Sequence, residues 1–136
     1  MADCIFCKII KREIPSDIIY EDDFAIAFMD IRPVSRGHVL VVPKEHVMDV
    51  LNASDDLLFK LLPLMKRIGL GVVKATGAAG CNVTFNTGEA AGQTVFHLHG
   101  HIIPRFANDG LKPWPHMDEP PKNRAGMAEE IKKHLS

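Results

Sequence analysis

Residues 97 to 103 read H-L-H-G-H-I-I, and no other stretch of the chain restricts its conformation so tightly. In an extended strand, side chains at i, i+2 and i+4 line one face. The run therefore sets His97, His99 and His101 in a row, with Leu98, Gly100 and Ile102 behind them. Three of the seven histidines of the chain fall in this register. A row of imidazoles is a metal site or a catalytic surface, and three in register make a merely hydrogen-bonded set the poorer account.

The rest of the chain has to build a support for that row. At 136 residues it has ordinary single-domain size and can bury a core without staples. A hydrophobic content of 46%, a charged content of 24% and a formal net charge of -1 describe a soluble globular protein with no bias toward polyanions. Nucleic acid and membrane are thus excluded as main partners. The start, M-A-D-C-I-F-C, lacks a basic segment leading into a long apolar run, and no stretch reaches the ~18 apolar residues of a membrane span. A cytoplasmic location is the expectation.

Strand-like runs occupy residues 18 to 21, 24 to 30 and 38 to 43, with turn residues between them, as an antiparallel meander requires. Residues 52 to 76 predict a helix. Ser54 can cap it, Asp55 and Asp56 suit its positive end, and Leu57, Leu61, Met65, Ile68 and Val72 recur at helical spacing. Pro63 predicts a kink or restart within it. Two further strands, 81 to 86 and 97 to 103, are joined by T87-G-E-A-A-G-Q-T94. This order predicts an α+β fold, a mainly antiparallel sheet with one long helix packed on it. Four prolines between Arg105 and Arg124 predict an irregular stretch, and residues 125 to 135 a last short helix.

The loop before the histidine row is rich in Gly, Ala and Thr and lacks Lys and Arg. Its backbone N–H groups can approach an anion closely, and Asn86 and Thr94 add donors at its ends, so a phosphate fits between loop and imidazoles. Two mechanisms compete for the row. The three histidines can hold a catalytic Zn²⁺, or one neutral imidazole can attack a phosphoryl group while the others manage charge and protons. Successive same-face positions lie ~6.5 to 7 Å apart along a strand, which suits an extended phosphate ester better than one ion. Cys4-x-x-Cys7 has a spacing suited to metal chelation or thiol redox chemistry, whereas Cys81 reads as a small buried hydrophobe.

Taken with its surroundings, the run resembles the signature of the histidine triad family of nucleotide hydrolases and transferases. C-I-F-C-K-I-I-K-R-E-I-P, F-M-D-I-R-P, G-H-V-L-V-V-P-K-E-H and N-T-G-E-A-A-G-Q-T-V-F-H also resemble its characteristic segments, in its order. The resemblance spans roughly Cys4 to Arg105, so residues 1–105 are expected to form the family domain and 106–136 a tail belonging to it. It implies that His99 is the nucleophile on the α-phosphate of a purine nucleotide, an adenosine or guanosine 5′-phosphate derivative, and that a nucleotidyl-histidine forms. It further implies that His101 holds phosphate oxygens, that His38 supports the row, and that Asn86 and Thr94 contact the phosphate and leaving group. Asp30 would accept the ribose hydroxyls. An apolar base pocket would comprise Ile5, Phe6, Ile9, Ile14, Phe28, Ile31 and Leu40. Some branches bind a structural zinc, here matching Cys4, Cys7, His46 and His97, which would remove His97 from proton transfer. No Mg²⁺ requirement is implied, and a homodimer is. The alternative is a nucleotide-binding regulatory or scaffold protein with little turnover. Gly100 departs from the family pattern, which has a bulkier apolar residue there.

Overall fold

The computed structural model describes residues 3–112 and 114–135. Its elements run α1 (Ile5–Ile10), β1 (Ile18–Glu21), β2 (Ala25–Met29), β3 (Val39–Pro43), α2 (Asp55–Thr76), β4 (Gly80–Thr84), a 3₁₀ turn (Glu89–Ala91), β5 (Gly100–Arg105) and α3 (Arg124–Lys133). The five strands form one antiparallel sheet in the order β1-β2-β3-β5-β4. The expected α+β architecture is present. Among the described residues, no helix is long and apolar enough to cross a membrane.

Period-two alternation divides the sheet between two cores. Ala25, Ala27, Val39, Val41 and Ile102 pack under α2 with Leu57, Leu61, Leu64, Met65, Ile68 and Val72. The opposite side chains, Ile26, Phe28, Leu40 and Val42, are covered by Phe6 and Ile9 of α1. Burial on both faces explains why β3 is an unbroken apolar run, V-L-V-V-P, buried throughout.

α2 begins where Ser54 accepts the Leu57 N–H at 3.2 Å and ends at Gly77, whose φ of 70° is the left-handed conformation that glycine adopts freely. It runs unbroken for 22 residues and does not restart at Pro63. Pro63 is exposed, so the hydrogen bond it cannot make lies on the solvent side of the helix and the buried stripe on the other side is undisturbed.

Two local structures differ from expectation. The first is α1, a six-residue helix capped by a cysteine, since the Cys4 sulfur accepts the Cys7 N–H at 3.4 Å. The second is that β5 starts only at Gly100, so His97 and His99 precede the ladder and His101 alone of the three is paired in it. Alternation nevertheless continues through the extended approach. Leu98 and Ile102 join the α2 core, and Gly100 is buried against the side chain of Met65.

Candidate active site and metal centre

The histidines gather on the α1 side of the sheet. On β5, His101 is register partner to Leu40 of β3 and to Thr84 of β4. His38, immediately before β3, brings its ring within 5.2 Å of His101, and His99 lies 5.0 Å from His101 on the other side. Phe6 of α1 sets its edge against His99 at 4.9 Å and His97 at 6.0 Å. His38, His97 and His99 are buried.

Backbone groups decide which nitrogen of each ring carries the proton, because a carbonyl only accepts and an amide N–H only donates. His97 Nε2–H donates to the Pro43 carbonyl at 2.8 Å, leaving the Nδ1 lone pair free. His99 Nδ1–H donates to the His97 carbonyl at 2.7 Å, leaving Nε2 free. His38 Nδ1 accepts the Val34 N–H at 3.0 Å, so its Nε2–H donates to His101 Nδ1 at 2.9 Å, and His101 in turn keeps its proton on Nε2. Burial pushes all four imidazoles below the ordinary histidine range, toward the neutral form these tautomers assume.

The row thereby divides into parts with different chemistry. Around His97, four donor atoms converge. His97 Nδ1 lies 3.4 Å from Cys4 Sγ, 3.6 Å from Cys7 Sγ and 3.1 Å from His46 Nδ1, and Cys7 Sγ lies 3.4 Å from His46 Nδ1. A tetrahedral ion with thiolate and imidazole ligands requires S···N near ~3.6 Å and N···N near ~3.3 Å. The free lone pair of His97 and the two sulfurs fit such an ion. Asp30, His38 and His101 form a second close group, with Asp30 Oδ2 3.5 Å from His38 Nε2. Here the Val34 N–H occupies His38 Nδ1 and forces the proton onto Nε2, so the group is a hydrogen-bonded chain and its geometry disfavours a metal.

The remaining expected residues fall in three places. Asn86 lines a cavity of about 420 Å³ together with His38, His101, Asn82 and Thr84, and its far wall is Leu111, Lys112 and Trp114. Thr94 lies apart from it, beside Cys4 and Ile5 in a smaller cavity of about 300 Å³. Phe6, Ile9, Phe28 and Leu40 are buried together with Ile14 packed against them, whereas Ile5 and Ile31 are exposed. Cys81 is half-buried.

Sequence reasoning missed the backbone partners of the histidines, the Pro43 carbonyl and the Val34 N–H, because only folding brings them alongside. It also missed Gln93. This buried side chain accepts the Gly88 N–H at 2.8 Å and donates to the Met48 and Val95 carbonyls, so it braces the glycine-rich loop from inside. The signal available was a lone Gln among small residues, which by itself reads as loop.

The model of the HIT domain matches residues 11–108. The chain belongs to the HIT domain family. Among its HIT relatives, the adenosine 5′-monophosphoramidase hnt1 of Schizosaccharomyces pombe is 42% identical over 130 residues, covering 94% of this chain and 95% of that protein. The adenylylsulfatase HINT3 of Arabidopsis thaliana is 41% identical over 109 residues, covering 80% of this chain and 55% of that longer protein. A crystal structure of a HIT family member from Bacillus subtilis superposes with a TM-score of 0.87 at 39% identity, over 98% of both chains. The HIT match takes in His38, His46, Asn86, Thr94 and the histidine row and begins after the CxxC.

Proposed function

We propose that this HIT protein is a nucleotide hydrolase or transferase acting on the α-phosphate of purine nucleoside 5′-phosphate derivatives through a nucleotidyl-histidine at His99. The observation that carries this reading is the spent Nδ1–H of His99. With that proton held on the His97 carbonyl at 2.7 Å, the neutral ring presents the Nε2 lone pair, the form a nucleophilic imidazole needs. The phosphoramidase and adenylylsulfatase among its relatives support the substrate class.

In the first step a P–N bond forms to His99 Nε2 as the bond from α-phosphorus to the leaving group breaks. In the second, water or another acceptor attacks phosphorus and gives up its proton to solvent, the P–N bond breaks with its electron pair returning to Nε2, and the neutral ring is restored. Positive charge on the intermediate imidazolium is stabilised by the same His97 carbonyl. His101, proton on Nε2, donates toward phosphate oxygens, and the leaving group takes its proton from water. The cavity beyond His101 and Asn86 gives the leaving group room. Asp30 is the acceptor for the ribose hydroxyls, with the buried Phe6, Ile9, Phe28 and Leu40 behind the base. Cys4, Cys7, His46 and His97 would hold a structural zinc, which would link α1 to the sheet.

The test is His99→Ala assayed on adenosine 5′-phosphoramidate and diadenosine tetraphosphate. A loss of at least ~10³-fold in kcat is expected, of the size seen when an essential member of a nucleophilic site is removed. Intact-mass detection of a nucleotidyl adduct on the wild-type chain and its absence in the variant checks the intermediate. Full retained activity would sink the mechanism. Nucleotide binding by the wild-type chain with no adduct and no turnover would favour a regulatory binding protein instead.

A further inference from the structure

α1 contributes to two sites at once. It is six residues long, well under the length at which an isolated helix holds its own shape, so its position depends on what clamps it. At its start Cys4 is the cap and Cys7 follows within the helix, and both sulfurs lie within 3.6 Å of His97 Nδ1. Phe6, between the two cysteines, is 5% exposed and meets His99 edge-on at 4.9 Å and Phe28 at 5.6 Å. Just beyond the other end, Arg12 pairs with Glu21 on β1 through an exposed contact of little holding power.

A second connection runs through His97 itself. Its ring belongs to the metal donors, and its backbone carbonyl receives the Nδ1–H of His99 at 2.7 Å. Whatever fixes the His97 ring therefore also fixes the carbonyl that sets the His99 tautomer. Without an ion, the donor set is joined only by weak thiol hydrogen bonds and the His46–His97 contact, and the first turn of α1 is held to the sheet by the packing of Phe6 and Ile9 alone. Nucleotide binding would then have to meet the cost of ordering Phe6 against His99. With an ion in place that cost is met beforehand.

We propose that the metal centre and the nucleotide pocket are thermodynamically coupled through Phe6 and the His97 backbone, so that metal loading tightens nucleotide binding and nucleotide tightens metal binding. Phe6 is on this account a positioning residue for His99. The inference rests on the nucleotide reading above and goes beyond a static structural zinc, because linkage requires the two enhancements to be the same factor.

The experiment uses the full chain with AMP as the probe, since AMP is not turned over. Calorimetry gives the AMP Kd for the zinc-loaded chain and for the chain stripped by chelator under reducing conditions. Competition with a chromophoric chelator gives the zinc Kd with and without saturating AMP. We expect about one zinc per chain and equal factors of about tenfold, inside the roughly 5- to 150-fold range of coupled sites. Hydrogen exchange over residues 3–12 should slow on zinc loading and slow further with AMP. Phe6→Leu keeps an apolar side chain but loses the aromatic edge, and should lower the factor to less than about twofold while zinc still binds. An unchanged factor in that variant overturns the role of Phe6. Equal AMP affinities with and without zinc overturn the coupling while leaving the nucleotide reading intact. Failure of AMP to bind either form overturns both, and failure to bind zinc overturns the coupling alone.

Discussion

At the scale of single residues, the backbone assigns the histidines their separate chemistries. Four imidazoles of the same type differ because Pro43 and His97 offer carbonyls and Val34 offers an N–H. The same burial that fixes these tautomers makes the fold sensitive to acid. His38 and His101 sit below the ordinary histidine range, chiefly through loss of water around them, with the nearby Asp30 charge opposing. Their unfolded counterparts take up protons below about pH 6.5, so in that window the unfolded chain binds more protons. Their contribution to stability is complete above about pH 6.5 and is lost as pH falls toward the folded-state values. Thermal unfolding followed from pH 7.5 to 5.5 should show Tm decreasing, and His38→Asn with His101→Asn should flatten that slope. The carboxylates held low, Asp22 by Tyr20 and its backbone donors and Glu21 by Lys44 and Arg12, act in a lower window and do not mimic the effect. A level Tm across this range in the wild-type chain would contradict the assignment of neutral buried rings.

At the scale of elements, the contact between β5 and α2 sets the height of the histidine row. Gly100 lies between His99 and His101, and a Cβ there would run into the terminal methyl and sulfur of Met65 and come within 3.2 Å of Phe85. The space beside Gly100 is filled by the Met65 side chain reaching across from the helix. Gly100→Ala should therefore destabilise by about 1 to 3 kcal/mol through overpacking. Adding Met65→Ala, costly by itself because Met65 is fully buried, should make the pair less damaging than the sum of the two singles. Denaturant unfolding of the four chains measures this, and strict additivity would mean that the two side chains do not share the space. α1 was not legible as a helix because six residues, I-F-C-K-I-I, are too few for periodicity to register and its cap is a thiol. Pro63 misled in the other direction, since its exposed placement on α2 depends on which face the core takes.

At the scale of the whole molecule, the fold leaves two surfaces suited to a second copy. β4 is an edge strand with Val83 exposed, and α2 carries Phe59, Leu62 and Leu70 outward, 72%, 58% and 56% exposed, which is more apolar surface than a solvated helix face requires. We expect a homodimer through these faces. Sedimentation equilibrium should give twice the chain mass, and Leu62→Glu with Val83→Lys should yield the monomer. A monomeric wild-type chain at micromolar concentration would refute it.

Local pattern carried most of the architecture. Apolar, strand-like runs bounded by turn residues marked the strands, helical spacing with Ser54 marked α2, and the period-two histidines marked the site, because each depends on neighbours in sequence. Tertiary structure alone decided the division of labour within the row. The Pro43 carbonyl reaches His97 across 54 positions, Cys4 and Cys7 reach it across 93 and 90, and Phe6 arrives on a helix that β2 and β3 hold in place. An imidazole's role is set by the group that faces each nitrogen, and here folding brings most of those groups from distant parts of the chain.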